Sequence, residues 1–473
     1  VATEPAQQLR RQLRLRDLVF AQVLIVVGSS WVGIAAGVGR AQLSVWLLAF
    51  AFFYAPMAVA VYHLNRQMPL EGGLYVWARQ SYGDLVGFMT AWNIWAFALS
   101  SIATVLFQIP SEFAYLVGPR AAALPENHLF VYGLLSALLV GLAWTAVRGL
   151  SVGKWINNVS SIAMMATFAL LILAPLIGWL RGEPLHYAPA VLALPPADWH
   201  SLALVGQVMF AAAGLEYIAI MAGETHSAAT DIGRSVLLAT PIILAMFVLG
   251  TAAVVCFHER NPATPIDFVA PIPQTLTFAF GGGLAAPVAK LAILLLQIRI
   301  VGVACNLFAG AVRLPMAAGW DHLIPEWFTR LHPRHRTPVN AIFVSAVVVA
   351  ALLLLASAGV RAVEAFTILN DASNEFYGLA YLAMFLIPIC GAGSVRAALP
   401  RWVTAICMAG VVAILFVLAI NAYPFVDVAS PGSFAAKILG TTALVNACGW
   451  LFFTLRRGSE SRSAAQTFES NAP

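Results

Sequence analysis

Val27-Gly28-Ser29-Ser30-Trp31-Val32-Gly33, followed by Gly37 and Gly39, lies inside an apolar run covering residues 18–38. Residue types that interrupt helices therefore sit where a membrane-spanning helix would have its middle. Phe210-Ala211-Ala212-Ala213-Gly214-Leu215-Glu216 does the same inside the run 202–221. Hydrocarbon cannot hydrogen-bond the backbone groups that a break exposes. A break is therefore stable only where it is buried or lines a polar cavity. Matched breaks in two halves of a chain point to a transport site between inverted repeats. The competing reading is that small residues merely let helices pack closely. The matched positions, and the carboxylate of Glu216 beside the second break, favour a site.

The rest of the 473 residues fits a membrane protein. Apolar side chains make up 61% and charged ones 10%, against roughly 25% charged in soluble globular chains. Soluble, disordered and disulfide-scaffold classes are excluded. Continuous apolar runs argue for helices, not for the alternating strands of a barrel. Twelve spans are expected, at 18–38, 43–62, 85–106, 129–147, 156–180, 202–221, 236–256, 284–312, 339–355, 362–389, 403–420 and 434–453. This divides the chain into an N-terminal arm (1–17), a core of spans 1–10 (18–389), spans 11 and 12 (390–455) and a tail (456–473). Within the core the inverted repeats cover about 18–180 and 202–389. The tail is polar and Ser-rich and is expected to be disordered.

Lysines and arginines set the orientation. Eighteen fall in segments that are cytoplasmic if the N-terminus is inside, Arg66, Arg79, Arg148 and Arg234 among them. Six fall outside: Arg40, Arg120, Arg181, Arg260, Arg361 and Lys437. The bias places both termini in the cytoplasm, in a multi-pass protein of the cytoplasmic membrane. It also makes the net charge of +5 a matter of orientation, with no nucleic-acid partner expected. The first apolar run follows a basic arm (9–16) but continues into a full span without an A-x-A cleavage site. The five cysteines form no CxxC pair and read as small buried hydrophobes, not as a disulfide or metal framework. No GxSxG elbow occurs, and His258-Glu259 lacks the second histidine of a metalloprotease. Gly281-Gly282-Gly283 follows no strand and reads as a loop. An enzyme is not expected.

Six ionisable residues fall inside the spans: Glu216, Lys290, Arg299, Glu364, Asp371 and Glu375. A charge at mid-bilayer costs at least ~2.5–3.5 kcal/mol on insertion scales, so each should face a cavity or a partner. Lys290 and Glu364 lie near the outer surface and can snorkel. Asp371 and Glu375 are one helical turn apart on one face. For Asp371 a substrate or cation contact, a pair with Arg299 and a structural polar network all remain open. Arg299 precedes Arg313 by 14 residues, about 21 Å of helical rise. Its guanidinium is thus near mid-membrane, where it stays charged and needs partners. It either binds a substrate carboxylate or pairs with Asp371 or Glu216 as a gate or bridge.

Four motifs, in order along the chain, carry a resemblance. Leu15-Arg16-Asp17-Leu18 leads into Val27-Gly28-Ser29-Ser30-Trp31. Pro69-Leu70-Glu71-Gly72-Gly73-Leu74-Tyr75-Val76-Trp77 lies between spans 2 and 3. Phe210 to Glu216 is followed by Ala222-Gly223-Glu224. Arg313-Leu314-Pro315-Met316-Ala317-Ala318-Gly319-Trp320-Asp321 runs on to Pro325. Together they resemble the amino acid–polyamine–organocation transporters. The resemblance implies an all-α polytopic, leucine-transporter-like fold: two inverted five-helix repeats plus two further helices, twelve transmembrane helices in all. It implies that N–H groups of Gly28, Ser29 and Ser30 hold a substrate carboxylate. Carbonyls near Val26, Phe210 and Ala213, at the break that Gly214 completes, would hold its amine. Phe210 would act as an aromatic lid, Val303 would face the substrate from span 8, and Glu216 would couple protons. Ser30 departs from the family's second glycine, and span 5 has no lysine deeper than Lys154. The implied function is a secondary active transporter for amino acids or related amines and polyamines, working by alternating access. A non-transporting sensor of the same fold and a permease for another organic cation are the alternatives. The expected partners are a small-molecule substrate and the lipid bilayer. No cofactor is expected beyond a proton or sodium gradient.

Overall fold

The computed structural model describes residues 14–68, 73–148, 150–184, 186–215, 225, 228–281, 285–317, 326–332, 337–357, 360–397 and 399–470. Among them the chain is helical throughout, with no β-strand. Ten of the described helices are long and apolar enough to cross a bilayer. Leu15–Val26 and Ser29–Ala36 add a broken crossing, bent by 47° at Val27 and Gly28. That is span 1. The first half of span 6 is the 13-residue helix Trp199–Ala211, which ends in the irregular segment 212–215. Glu216 and the rest of the expected span 6 lie outside the described residues.

The sequence explains both halves of span 6. Asp198 caps its start, accepting the Ser201 N–H at 2.9 Å and the Ser201 hydroxyl at 2.9 Å. The helix ends where Gly214 takes a φ of +112°, a region closed to residues with a Cβ. The Gly214 N–H donates to the Tyr381 hydroxyl at 2.8 Å, so the break is tied to span 10.

Span 3 (Asp84–Val117), span 8 (Ala286–Ala317) and span 10 (Ala362–Cys390) pack against one another at the centre. Span 5 (Leu150–Leu180) supports span 8, and span 1 leans on span 5 and span 7 (Ala228–Arg260). Helices in lipid associate through close packing and interhelical hydrogen bonds. Gly378 of span 10 shows the packing: a Cβ there would lie 2.6 Å from Leu418 of span 11 (Arg401–Ile420). Leu129, Trp144, Phe343 and Leu355 of spans 4 (His128–Arg148) and 9 (Val339–Ser357) face outward, as lipid contact requires.

Several expectations are corrected. Span 3 continues well past residue 106, as far as Val117. Gln108, Pro110 and Glu112 look like the end of an apolar run. Yet Pro110 removes only one intrahelical bond, and Gln108 and Glu112 are buried against spans 1 and 8. The expected disordered tail is not found: the last helix runs from Pro431 to Ser470, in a stretch with no internal proline. Cys256 and Cys407 are buried, but Cys390 and Cys448 are exposed on the outer face of the bundle; all five are free. Lys290 is exposed, whereas Glu364 is buried in the first turn of span 10. A helix not foreseen, Pro271–Phe280, lies between spans 7 and 8. Its Pro271 ring packs on Gly33, where a Cβ would lie 2.5 Å away, so Gly33 serves close approach and not the break.

Candidate substrate-binding site

The two breaks face each other across a buried cavity of about 110 Å³. Span 1 contributes Ile25, Val26, Gly28, Ser30 and Trp31, and span 6 contributes Phe210, Ala211, Ala213 and Gly214. Span 3 supplies Phe97, Ser101, Thr104, Val105 and Gln108; span 8 supplies Arg299, Val303 and Leu307. Asn370, Ser373, Asn374 and Tyr377 of span 10 close the wall. Of the expected contacts, Val26, Gly28, Ser30, Phe210, Ala213, Gly214, Val303 and Arg299 thus lie on one cavity.

Helix Ser29–Ala36 begins at this cavity. Gly28 is its N-cap, extended at φ −105°, and no side chain caps the first N–H groups. The positive end of a helix with open donors favours an anionic group. Gly28 is also required by space: a Cβ would lie 2.5 Å from the Trp31 ring. Ser29 does not line the cavity. Its hydroxyl lies 3.2 Å from Gln108 Oε1 and 3.3 Å from Glu112 Oε1. Of the expected carbonyls, that of Phe210 accepts the Ala213 N–H at 2.9 Å.

Arg299 is buried, 3% exposed, and reaches the break of span 1. Its Nη2 donates to the Val27 carbonyl at 3.0 Å, and its Nη1 lies 3.5 Å from the Ser29 hydroxyl. It does not pair with Asp371, as one reading expected. The carboxylate on its side of the bundle is Glu112, held by Gln297 Nε2 at 3.1 Å and by Ser29. Two buried polar atoms on the cavity residues have no protein partner: Arg299 Nε and the Tyr377 hydroxyl.

Asp371 lies behind the cavity wall in a network joining spans 6, 10 and 11. Gln207 Nε2 donates to Asp371 Oδ1 at 2.8 Å and to Asn421 Oδ1 at 2.7 Å. Asn370 and Asn374 donate to Gln207 Oε1 at 2.9 and 3.0 Å. Asn421 donates to the Asp371 carbonyl at 2.7 Å and to Glu375 Oε1 at 3.1 Å. Asp371 Oδ2 has no protein partner.

An aromatic column backs the site. Phe97 stacks on Tyr377 with centroids 3.7 Å apart, Tyr377 meets Tyr381 at 4.6 Å, and Phe210 touches both near 6 Å. Phe53, in a π-helical turn of span 2 (Phe50–Tyr54), packs edge-on to Tyr381 at 5.4 Å. Sequence reasoning missed Glu112, Tyr377, Tyr381, Gln207 and Asn421. A longer span 3, with Glu112 counted as intramembrane, would have found the first.

Comparison with known proteins adds independent findings. A family model described as amino acid permease matches residues 17–444. An uncharacterized transporter of Legionella pneumophila is 22% identical over 80% of this chain and 81% of its own. The methylthioribose transporter of Bacillus subtilis is 23% identical, over 78% of this chain and 82% of its own. The lysine-specific permease of Escherichia coli is 23% identical, over 79% of this chain and 77% of its own.

Proposed function

The chain belongs to the amino acid permease family and is a multi-pass membrane transporter, not an enzyme; from that premise we propose that it moves amino acids or related solutes across the cytoplasmic membrane by alternating access. One observation carries the reading: the breaks of spans 1 and 6 open onto a single buried cavity. The helix end at Gly28 offers N–H donors to an anionic group, and Ser101, Thr104, Asn374 and Ser373 offer neutral hydrogen-bonding groups around it. Phe210 and Tyr377 supply apolar surface. A site with few placed polar groups in an apolar wall suits a small solute.

Driving force is assigned to a proton or sodium gradient acting on buried carboxylates. Asp371 is placed for this, because its network ties the broken span 6 to spans 10 and 11 and leaves Oδ2 open. Glu216, next to the same break in sequence, is the second coupling residue. Arg299 gates by joining span 8 to the break of span 1. The basic-residue bias supports cytoplasmic termini.

The test is counterflow into proteoliposomes preloaded with unlabelled amino acids. Saturable, protein-dependent uptake of a labelled amino acid supports transport. Tight binding of the same amino acid without flux would make the protein a sensor.

A further inference from the structure

Arg299 is the only charged side chain among the described residues that line the cavity. Glu112, Asp371 and Glu375 are buried nearby but do not line it. A guanidinium carries five N–H donors and no acceptor. The Val27 carbonyl engages one donor at 3.0 Å, and the Ser29 hydroxyl lies at the 3.5 Å limit of another. Nε has no protein acceptor. Among the described residues no carboxylate forms an ion pair with it. Val27 and Ser29 flank Gly28, the cap of the helix whose first N–H groups have no side-chain cap. The guanidinium and the positive helix end therefore meet at one corner. The Tyr377 hydroxyl, on another wall, is equally without a partner.

We propose that Arg299 and the Gly28 helix end form one carboxylate-reading corner. The cavity then selects compact solutes bearing a carboxylate, neutral or anionic overall, against decarboxylated amines and polyamines. This rests on the transport reading above and narrows its substrate class. A carboxylate matches the planar fork of a guanidinium through Nε and an Nη, and the bond is charge-assisted. An amine in its place would bring a second positive charge against the first in a dry site. Glu112, behind Ser29, balances the guanidinium while the cavity is empty; a bound carboxylate becomes its direct partner. Size agrees with this: an engineered cavity of about 150 Å³ holds benzene, and about 110 Å³ leaves no length for a polyamine.

The experiment measures binding to the purified, full-length protein by thermal shift and calorimetry. The probes are amino acids paired with the amines that lack their carboxylate: L-leucine with 3-methylbutylamine, L-ornithine with putrescine and L-arginine with agmatine, alongside the remaining proteinogenic amino acids. At least one amino acid should bind, with any paired amine at least ~10-fold weaker. Arg299→Lys keeps the charge but loses the fork. It should weaken the amino acid about 10- to 100-fold and leave amine binding unchanged. An amine that binds as tightly as its parent, or an Arg299→Lys protein that loses both equally, overturns the carboxylate corner but leaves transport standing. If no amino acid binds or exchanges, the transport reading falls and takes this inference with it. Should Arg299→Lys fail to fold, the wild-type pairs alone decide.

Discussion

Replacing Gly214 with alanine tests whether the break in span 6 is built by its backbone. Gly214 holds a φ of +112°. A residue with a Cβ held there costs about 1–3 kcal/mol. The new Cβ would lie 3.3 Å from Ile25 and 3.5 Å from Val26, so it also crowds span 1. Relief of the strain requires the peptide to rotate, which breaks the 2.8 Å bond from the Gly214 N–H to Tyr381. That bond is worth roughly 0.5–1.5 kcal/mol. Together the cost is about 2–4 kcal/mol, a ~30- to 1000-fold loss of the broken conformation. Tyr381→Phe removes only the hydroxyl and should cost roughly 2- to 13-fold. The assay is ligand affinity, with thermal unfolding in detergent as the control for stability. Alanine at 214 should weaken binding far more than phenylalanine at 381. Equal, negligible effects of the two would refute the reasoning, because the break would then not depend on this residue's conformation.

Gln207→Leu removes the amide that joins Asp371 to Asn421, and interhelical bonds of this kind are worth about 0.6–2 kcal/mol each in membranes. Gradient-driven accumulation should fall while ligand binding persists at detectable levels; unchanged accumulation would separate the network from coupling. Asp198 caps span 6 from outside the membrane, and the N–H and hydroxyl of Ser201 hold its carboxyl below the ordinary aspartate value of 3.8. Its contribution is therefore present above that value and is lost as pH falls through the lower folded value. Asp198→Ala should lower the unfolding temperature at neutral pH, with the gap from wild type closing in acid; a gap that does not depend on pH would mean the cap is not ionic. Single cysteines in the segment between Arg66 and Arg79 and beyond Arg456, in a cysteine-free background, should both be labelled only from the cytoplasmic side. Labelling of either in intact cells by an impermeant reagent would invert the topology.

The breaks were legible in the sequence because glycine and serine in an apolar run have few other uses. Arg299 was legible by depth, since counting helical rise from Arg313 puts it mid-membrane, and Val303 one turn further on shares its face. Its surroundings were not legible. Pro110 between two polar residues mimics the end of a span, so Glu112 was assigned to a loop although the helix runs on to Val117. Tyr377 and Tyr381 look like any aromatic pair in an apolar helix, and only the third dimension sets one on the cavity and the other on the Gly214 N–H. Gln207, Asp371 and Asn421 come from three spans and share no local spacing. Their association follows from tertiary packing, which composition and periodicity do not encode.

The central claim is that the cavity between the two breaks opens to each side of the membrane in turn. A single cysteine at Ser101, a cavity-lining position on span 3, measures this in a cysteine-free protein reconstituted in known orientation. Impermeant thiol reagents are applied from each side, with and without a transported amino acid. The account predicts modification from both sides and protection from both when the substrate is bound. Modification from one side only, or rates from both sides that ignore the substrate, would contradict it.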